Sequence, residues 1–104
     1  MKVYKGTDRD MRCNGLQYEI GKTVELEGDI KLCERGLHAC EMPLDVLAYY
    51  PPCESRYFEA ELEGVSEERQ DDSKRVGRRL TLGAELSVAE LVEAQIEYVS
   101  GRTE

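Results

Sequence analysis

The chain has no tryptophan, one phenylalanine and one histidine among its 104 residues, and only three prolines. Few large aromatics mean that a core of this size must be built from aliphatic residues and tyrosine. A single histidine excludes zinc and protease sites that need two, such as H-E-x-x-H. There is no C-x-x-C pair, which excludes the ordinary zinc fingers and ribbons. No run approaches the roughly 20 apolar residues of a membrane-spanning helix. The start, Met1-Lys2-Val3-Tyr4-Lys5-Gly6, lacks the apolar core of a signal peptide. A cytoplasmic location is therefore expected, where cysteines stay reduced. No phosphate-cradling glycine loop and no serine elbow are present, so the sequence points away from an enzyme.

Positive charge is also short: 14 basic residues face 22 acidic ones, a formal net charge of −8. That excludes direct binding to nucleic acid or anionic membranes, which needs clustered Lys and Arg. It favours docking onto a basic protein surface, including one that normally holds nucleic acid. The charge is uneven. Residues 54–72 carry eight acids and two bases, whereas residues 74–79 carry four bases and no acid.

What is present reads as one α+β domain over residues 1–104, with a small, mostly antiparallel sheet and two helices. Lys2–Lys5 is a short first strand. Gln17–Ile20 and Thr23–Glu27 are strand-like runs around a Gly21-Lys22 turn, and Ile30–Cys33 and Leu37–Cys40 are further extended pieces. Pro43 opens a helix that Pro51-Pro52 ends. Arg56–Glu63 alternates, with Phe58, Ala60 and Leu62 on one face and Glu59, Glu61 and Glu63 on the other. Residues 64–73 read as a mobile loop. Lys74–Leu82 alternates again, placing Val76, Leu80 and Leu82 on one face, with Arg78 interrupting. Ser87-Val88-Ala89-Glu90 is a capping box with Leu86 and Leu91 as its staple. Val88, Leu91, Val92, Ile96 and Val99 form an apolar stripe on the last helix. Glu90, Glu93 and Glu97 add a second acidic set. Both acidic sets read either as solvated faces or as a surface that competes with nucleic acid for a cationic groove.

Cys13, Cys33, His38 and Cys40 make a three-cysteine, one-histidine ligand set for a structural zinc. His38 and Cys40 are two residues apart, so on an extended segment they share a face. Gly36 lets the chain turn between them and Cys33, and Cys13 sits on a separate turn beside Gly15. Cys53, just after Pro51-Pro52, is an alternative ligand. The same residues also read as small buried hydrophobes and a satisfied histidine. A closed structural site would leave no open position for a reactive water, and would staple a small core.

Cys13-Asn14-Gly15-Leu16-Gln17-Tyr18-Glu19, the Cys-x-x-Gly-Leu-His-x-Cys block at residues 33–40 and Pro43-Leu44-Asp45-Val46-Leu47-Ala48-Tyr49-Tyr50 resemble an uncharacterised domain family of small phage and prophage proteins. So do Lys2–Gly6 and Gly83-Ala84-Glu85-Leu86. The resemblance covers most of the chain and favours Cys13, Cys33, His38 and Cys40 over Cys53. It implies a phage origin. By analogy of size, charge and origin, it points to a zinc-stapled inhibitor of host defence, similar to anti-CRISPR proteins. Such a protein would bind a CRISPR effector nuclease, or another basic nucleic-acid-binding protein, and block nucleic-acid loading or activation. A structural phage module is the plainer alternative.

A second resemblance is to ADP-ribosyltransferase-like folds, through Tyr4-Lys5-Gly6-Thr7, Gly36-Leu37-His38-Ala39 and Ala48-Tyr49-Tyr50. There the first strand and the glycine-aromatic segment flank a nicotinamide pocket, and a late glutamate completes the site. Here Lys5 stands where arginine or histidine is expected and no glutamate is clearly placed. The resemblance implies a related fold or a nucleotide-binding relic more than a transferase.

Overall fold

A computed structural model describes residues 1–32, 35–68 and 72–102. The strands are β1 (Lys2–Asp8), β2 (Arg12–Cys13), β3 (Leu16–Gln17), β4 (Thr23–Glu25), β5 (Leu37–Cys40), β6 (Ser55–Glu63), β7 (Lys74–Gly77) and β8 (Arg79–Leu86). A 3-10 helix covers Pro43–Ala48, and α1 covers Val88–Arg102. Six strands form one antiparallel sheet in the order β4-β8-β6-β1-β5-β7, and β2 with β3 forms a small hairpin.

The sheet curls because its last two strands are almost one. Only Arg78 separates β7, which pairs with β5, from β8, which pairs with β6. The bent segment therefore joins opposite parts of the sheet. At the bend the Arg78 N–H donates to the Glu63 carbonyl at 3.0 Å. A Cβ on Gly77 would stand 2.8 Å from that carbonyl oxygen and 2.7 Å from Leu62 Cγ, so only glycine permits the approach. Alternation in β6 and β8 explains what fills the curl. Val3, Phe58, Ala60, Leu62, Leu80 and Leu82 are buried on the inner face, joined by Tyr18 and Cys13.

The opposite face carries a second layer. Tyr4, Cys40 and Tyr57 pack there against Val46 of the 3-10 helix and Leu91 of α1. The capping box forms as expected: the Ser87 N–H donates to Glu90 Oε1 at 3.0 Å, and the Glu90 N–H to Ser87 Oγ at 3.1 Å. Leu86 packs against the cluster that holds Leu91.

The structure sharpens three expectations. The helix expected at Pro43 is present, as a 3-10 helix of six residues, Pro43–Ala48. It is too short between Pro43 and Pro51 to propagate α-helical bonds. The runs flanking Gly21-Lys22 do not pair with each other; residues 18–20 are not strand, and β4 instead lies against β8, with Val24 opposite Leu80. The apolar stripe of α1 is buried at one edge only. Leu91 is fully buried, but Val92, Ile96 and Val99 are 42%, 60% and 48% exposed, and Val88 is also exposed. The helix packs through Leu91, with Ala94 beside it.

Candidate functional site

The site begins with a strand pair that stops short. β1 and β5 share one register position, Tyr4 opposite Cys40. Beyond it, Lys5 and Gly6 on one side and Gly36 and His38 on the other line a cleft of about 640 Å³. Lys5 spans the opening, and its ammonium donates to the His38 carbonyl at 2.7 Å. Alternation along β1 puts Lys5 on the inner face with Val3 and Thr7, and all three are buried.

Local turn chemistry brings a thiol to the same amine. Asp8 Oδ1 accepts from the Asp10 and Arg12 N–H groups, both at 2.9 Å, and turns the chain back after β1. Asn14 and Gly15 have φ of 51° and 79° and close the β2–β3 hairpin, the behaviour expected of an Asn-Gly pair. Cys13 is thereby folded over β1, with its Sγ 3.1 Å from Lys5 Nζ and 2.5 Å from the Tyr50 hydroxyl. Tyr50 is fixed in turn, because its carbonyl accepts from the Tyr57 hydroxyl at 2.6 Å. The Lys5 ammonium also lies 5.2 Å from the centre of the Tyr18 ring, a cation–π contact.

The electrostatics of the cleft run against those of the chain. Lys5, Arg35, His38 and Lys74 line it with Tyr49 and Tyr50, and among the described residues no Asp or Glu does. Arg35 donates to the Asp29 and Glu27 carbonyls at 2.5 and 2.6 Å, contacts that orient the guanidinium without cancelling its charge. Lys74 Nζ sits 4.5 Å from the Tyr49 ring centre. Burial, then the charges of Lys74 and Lys5, hold His38 below the ordinary imidazole value. Burial also draws the Lys5 amine down, opposed by Cys13. Tyr18 and Tyr50 are raised, chiefly by burial, so both keep their phenolic protons.

Of the proposed zinc ligands, Cys33 lies outside the described residues. Cys13 and Cys40 are buried and His38 is half-buried. Among the described residues no three of His, Cys, Asp or Glu gather into a group that could hold a metal. Cys13 belongs to the inner layer and contacts Lys5, whereas Cys40 faces the outer layer beside Tyr4. Burial, then Asp45 and Asp72, push the Cys40 thiol up to about 12. Cys53 is exposed.

The two acidic sets sit on separate elements. Glu61 and Glu63 are exposed on β6 and Glu59 is half-buried. Glu61 Oε2 accepts from the N-terminal ammonium at 3.4 Å. On α1, Glu90 is engaged in the cap, while Glu93 and Glu97 are exposed beside Val92 and Ile96. The Lys5–Cys13–Tyr50 contact was not anticipated from the sequence. Its signals were the Val3-Lys5-Thr7 alternation and the Asn14-Gly15 turn.

Fold and cleft together define a small curled-sheet domain with a basic, tyrosine-walled cleft at a strand split. The family model for a domain of unknown function (DUF7666) matches residues 1–94, and the chain belongs to that family. The match takes in every strand, the cleft and the first half of α1. Comparison with curated proteins and with solved structures gives no match. Among the described residues, no helix is long and apolar enough to cross a membrane.

Proposed function

We propose that this protein binds a small anionic ligand bearing a ring, of the nucleotide class, in the cleft between β1 and β5. One observation carries the reading: in a chain of net charge −8, this cleft is lined by Lys5, Arg35 and Lys74 without a carboxylate among the described residues. Basic side chains gathered on one concave surface raise the local concentration of an anion there. The tyrosines supply flat surfaces on which a base or other ring stacks. Binding without turnover is the form this reading takes. Among the described residues the lining offers no carboxylate as general base, nor a glutamate of the kind that completes an ADP-ribosyl transfer site.

Isothermal titration with ADP, NAD and inorganic phosphate tests it. ADP or NAD should bind more tightly than phosphate, and Arg35→Glu with Lys74→Glu should weaken binding at least tenfold. No heat and no thermal shift with any of the three at millimolar concentration would sink the reading.

A second reading has its own observation. The exposed Val92, Ile96 and Val99 run beside exposed Glu93 and Glu97, giving a mixed apolar and acidic helix face. That face supports a phage inhibitor docking on a basic nucleic-acid-binding protein, such as a CRISPR effector nuclease, and excluding its nucleic acid. Charge reversal at Glu93 and Glu97 should then relieve inhibition of the nuclease and flatten its salt dependence. Unchanged inhibition would remove the acidic-helix version, and inhibition lost instead on reversing Glu59, Glu61 and Glu63 would move the interface to β6.

A further inference from the structure

The cleft contains a reactive pair that anion binding does not require. Lys5 Nζ and Cys13 Sγ are in contact at 3.1 Å, and the Tyr50 hydroxyl lies 2.5 Å from the same sulfur. Lys5 and Cys13 are only 3% and 6% exposed, yet both line the cleft, which admits a molecule as small as hydrogen peroxide. A lysine amine is an ordinary partner for a carboxylate or for water. Here its neighbours are a thiol, a carbonyl oxygen and a ring. Of these only the sulfur, once oxidised, is an electrophile.

We propose that Lys5 and Cys13 are a modification site: peroxide oxidation joins them through a reversible sulfur–nitrogen bond. The Cys13 sulfur attacks one oxygen of hydrogen peroxide, the O–O bond breaks, and sulfenic acid and one water form. The Lys5 amine lone pair then attacks that sulfur. The S–O bond breaks, and the hydroxide leaves as a second water with a proton from the amine. Thiol, amine and one peroxide thus give a sulfenamide and two waters. The sulfur is oxidised by two electrons, and the peroxide is reduced.

Two features of the site favour this course over further oxidation. The amine is already at contact distance, so condensation is intramolecular. The Tyr50 hydroxyl, 2.5 Å from the sulfur, is placed to donate to the departing oxygen. Because Lys5 faces the cleft, the crosslink would also withdraw a cation from a bound anion. That consequence rests on the proposed function; the crosslink itself does not.

The test uses the reduced chain carrying Cys33→Ser, Cys40→Ser and Cys53→Ser, so that no intramolecular disulfide can form. Peroxide should remove about 2 Da from the monomer, the mass of two hydrogens, and dithiothreitol should restore it. Peptide mapping should show cleavage after Lys5 lost and its peptide joined to that of Cys13. The unsubstituted chain is mapped alongside, so that a misfolded variant does not decide the matter. With Lys5→Arg, the reaction should stop at a sulfenic acid that dimedone traps at Cys13. A Cys13 that gains oxygen while Lys5 is still cleaved, or oxidation confined to Cys53, would overturn the proposal.

Discussion

The Tyr50 side chain packs directly against Gly6, where a Cβ would fall 2.5 Å from Tyr50 Cδ2 and 2.7 Å from Cγ. This contact fixes the cleft wall, because the same tyrosine holds the Cys13 sulfur and the Tyr57 hydroxyl. Gly6→Ala should displace the ring and cost about 1–3 kcal/mol, the usual penalty of overpacking. Chemical denaturation measures it, and a stability unchanged within error would show that Tyr50 moves aside freely.

The buried face of α1 separates two leucine-sized residues that the sequence treats alike. Leu91→Ala should cost about 2–5 kcal/mol, since the site is closed on every side. Ile96→Ala should cost no more than about 0.5 kcal/mol, because Ile96 is 60% exposed. Equal losses on thermal denaturation would mean that the stripe is covered in the protein as it exists in solution.

His38 makes stability depend on pH in a defined direction. Its folded value lies below the ordinary 6.5, owing to burial first and then to Lys74 and Lys5. The unfolded chain therefore binds more protons in this range, and stability rises with pH. The contribution is complete above about pH 6.5 and is lost as pH falls through the folded value. His38→Gln should flatten the slope of unfolding free energy between about pH 7 and pH 5. An identical slope in the variant would contradict the placement of His38 beside two cations.

Thiol labelling should rank the cysteines by environment. With its thiol pushed up to about 12, Cys40 is thiolate in only about one molecule in ten thousand at pH 8, and it is buried as well. Cys53 is exposed and should react with iodoacetamide first, while Cys40 should react only on unfolding. Early modification at Cys40 would show that the outer layer opens readily.

The zinc staple is tested directly. If Cys13, Cys33, His38 and Cys40 hold a structural metal, protein purified without added metal should contain about one zinc per chain, and chelation should lower its melting temperature. Cys33→Ser and His38→Ala should both destabilise, and Cys53→Ser should be milder. Metal-free protein with unchanged melting would remove the staple and leave Lys5 as the partner of the Cys13 sulfur.

Much of the architecture was legible residue by residue. The alternation of Phe58, Ala60 and Leu62 gave an inner face because a strand has period two. Ser87 and Glu90 gave the start of α1 because the cap is satisfied by side chains only three residues apart. The packed side of the helix was not legible. Periodicity shows that Val88, Leu91, Val92, Ile96 and Val99 lie near one another, but not which side meets the sheet. That side is selected by the hollow between Val46, Tyr4 and Tyr57, which receives Leu91.

The candidate site divides in the same way. By itself the sequence determined a small acidic α+β domain, its principal strands and its capped last helix, since each depends on neighbours within a few positions. Tertiary structure alone decided that Arg78 marks the corner of a curled sheet and that β1 and β5 part after Tyr4 and Cys40. It also decided that Lys5, Cys13, Arg35, Tyr50 and Lys74 meet in one cleft. Those residues span seventy positions of chain. Their meeting depends on strand order and register, which no local pattern encodes.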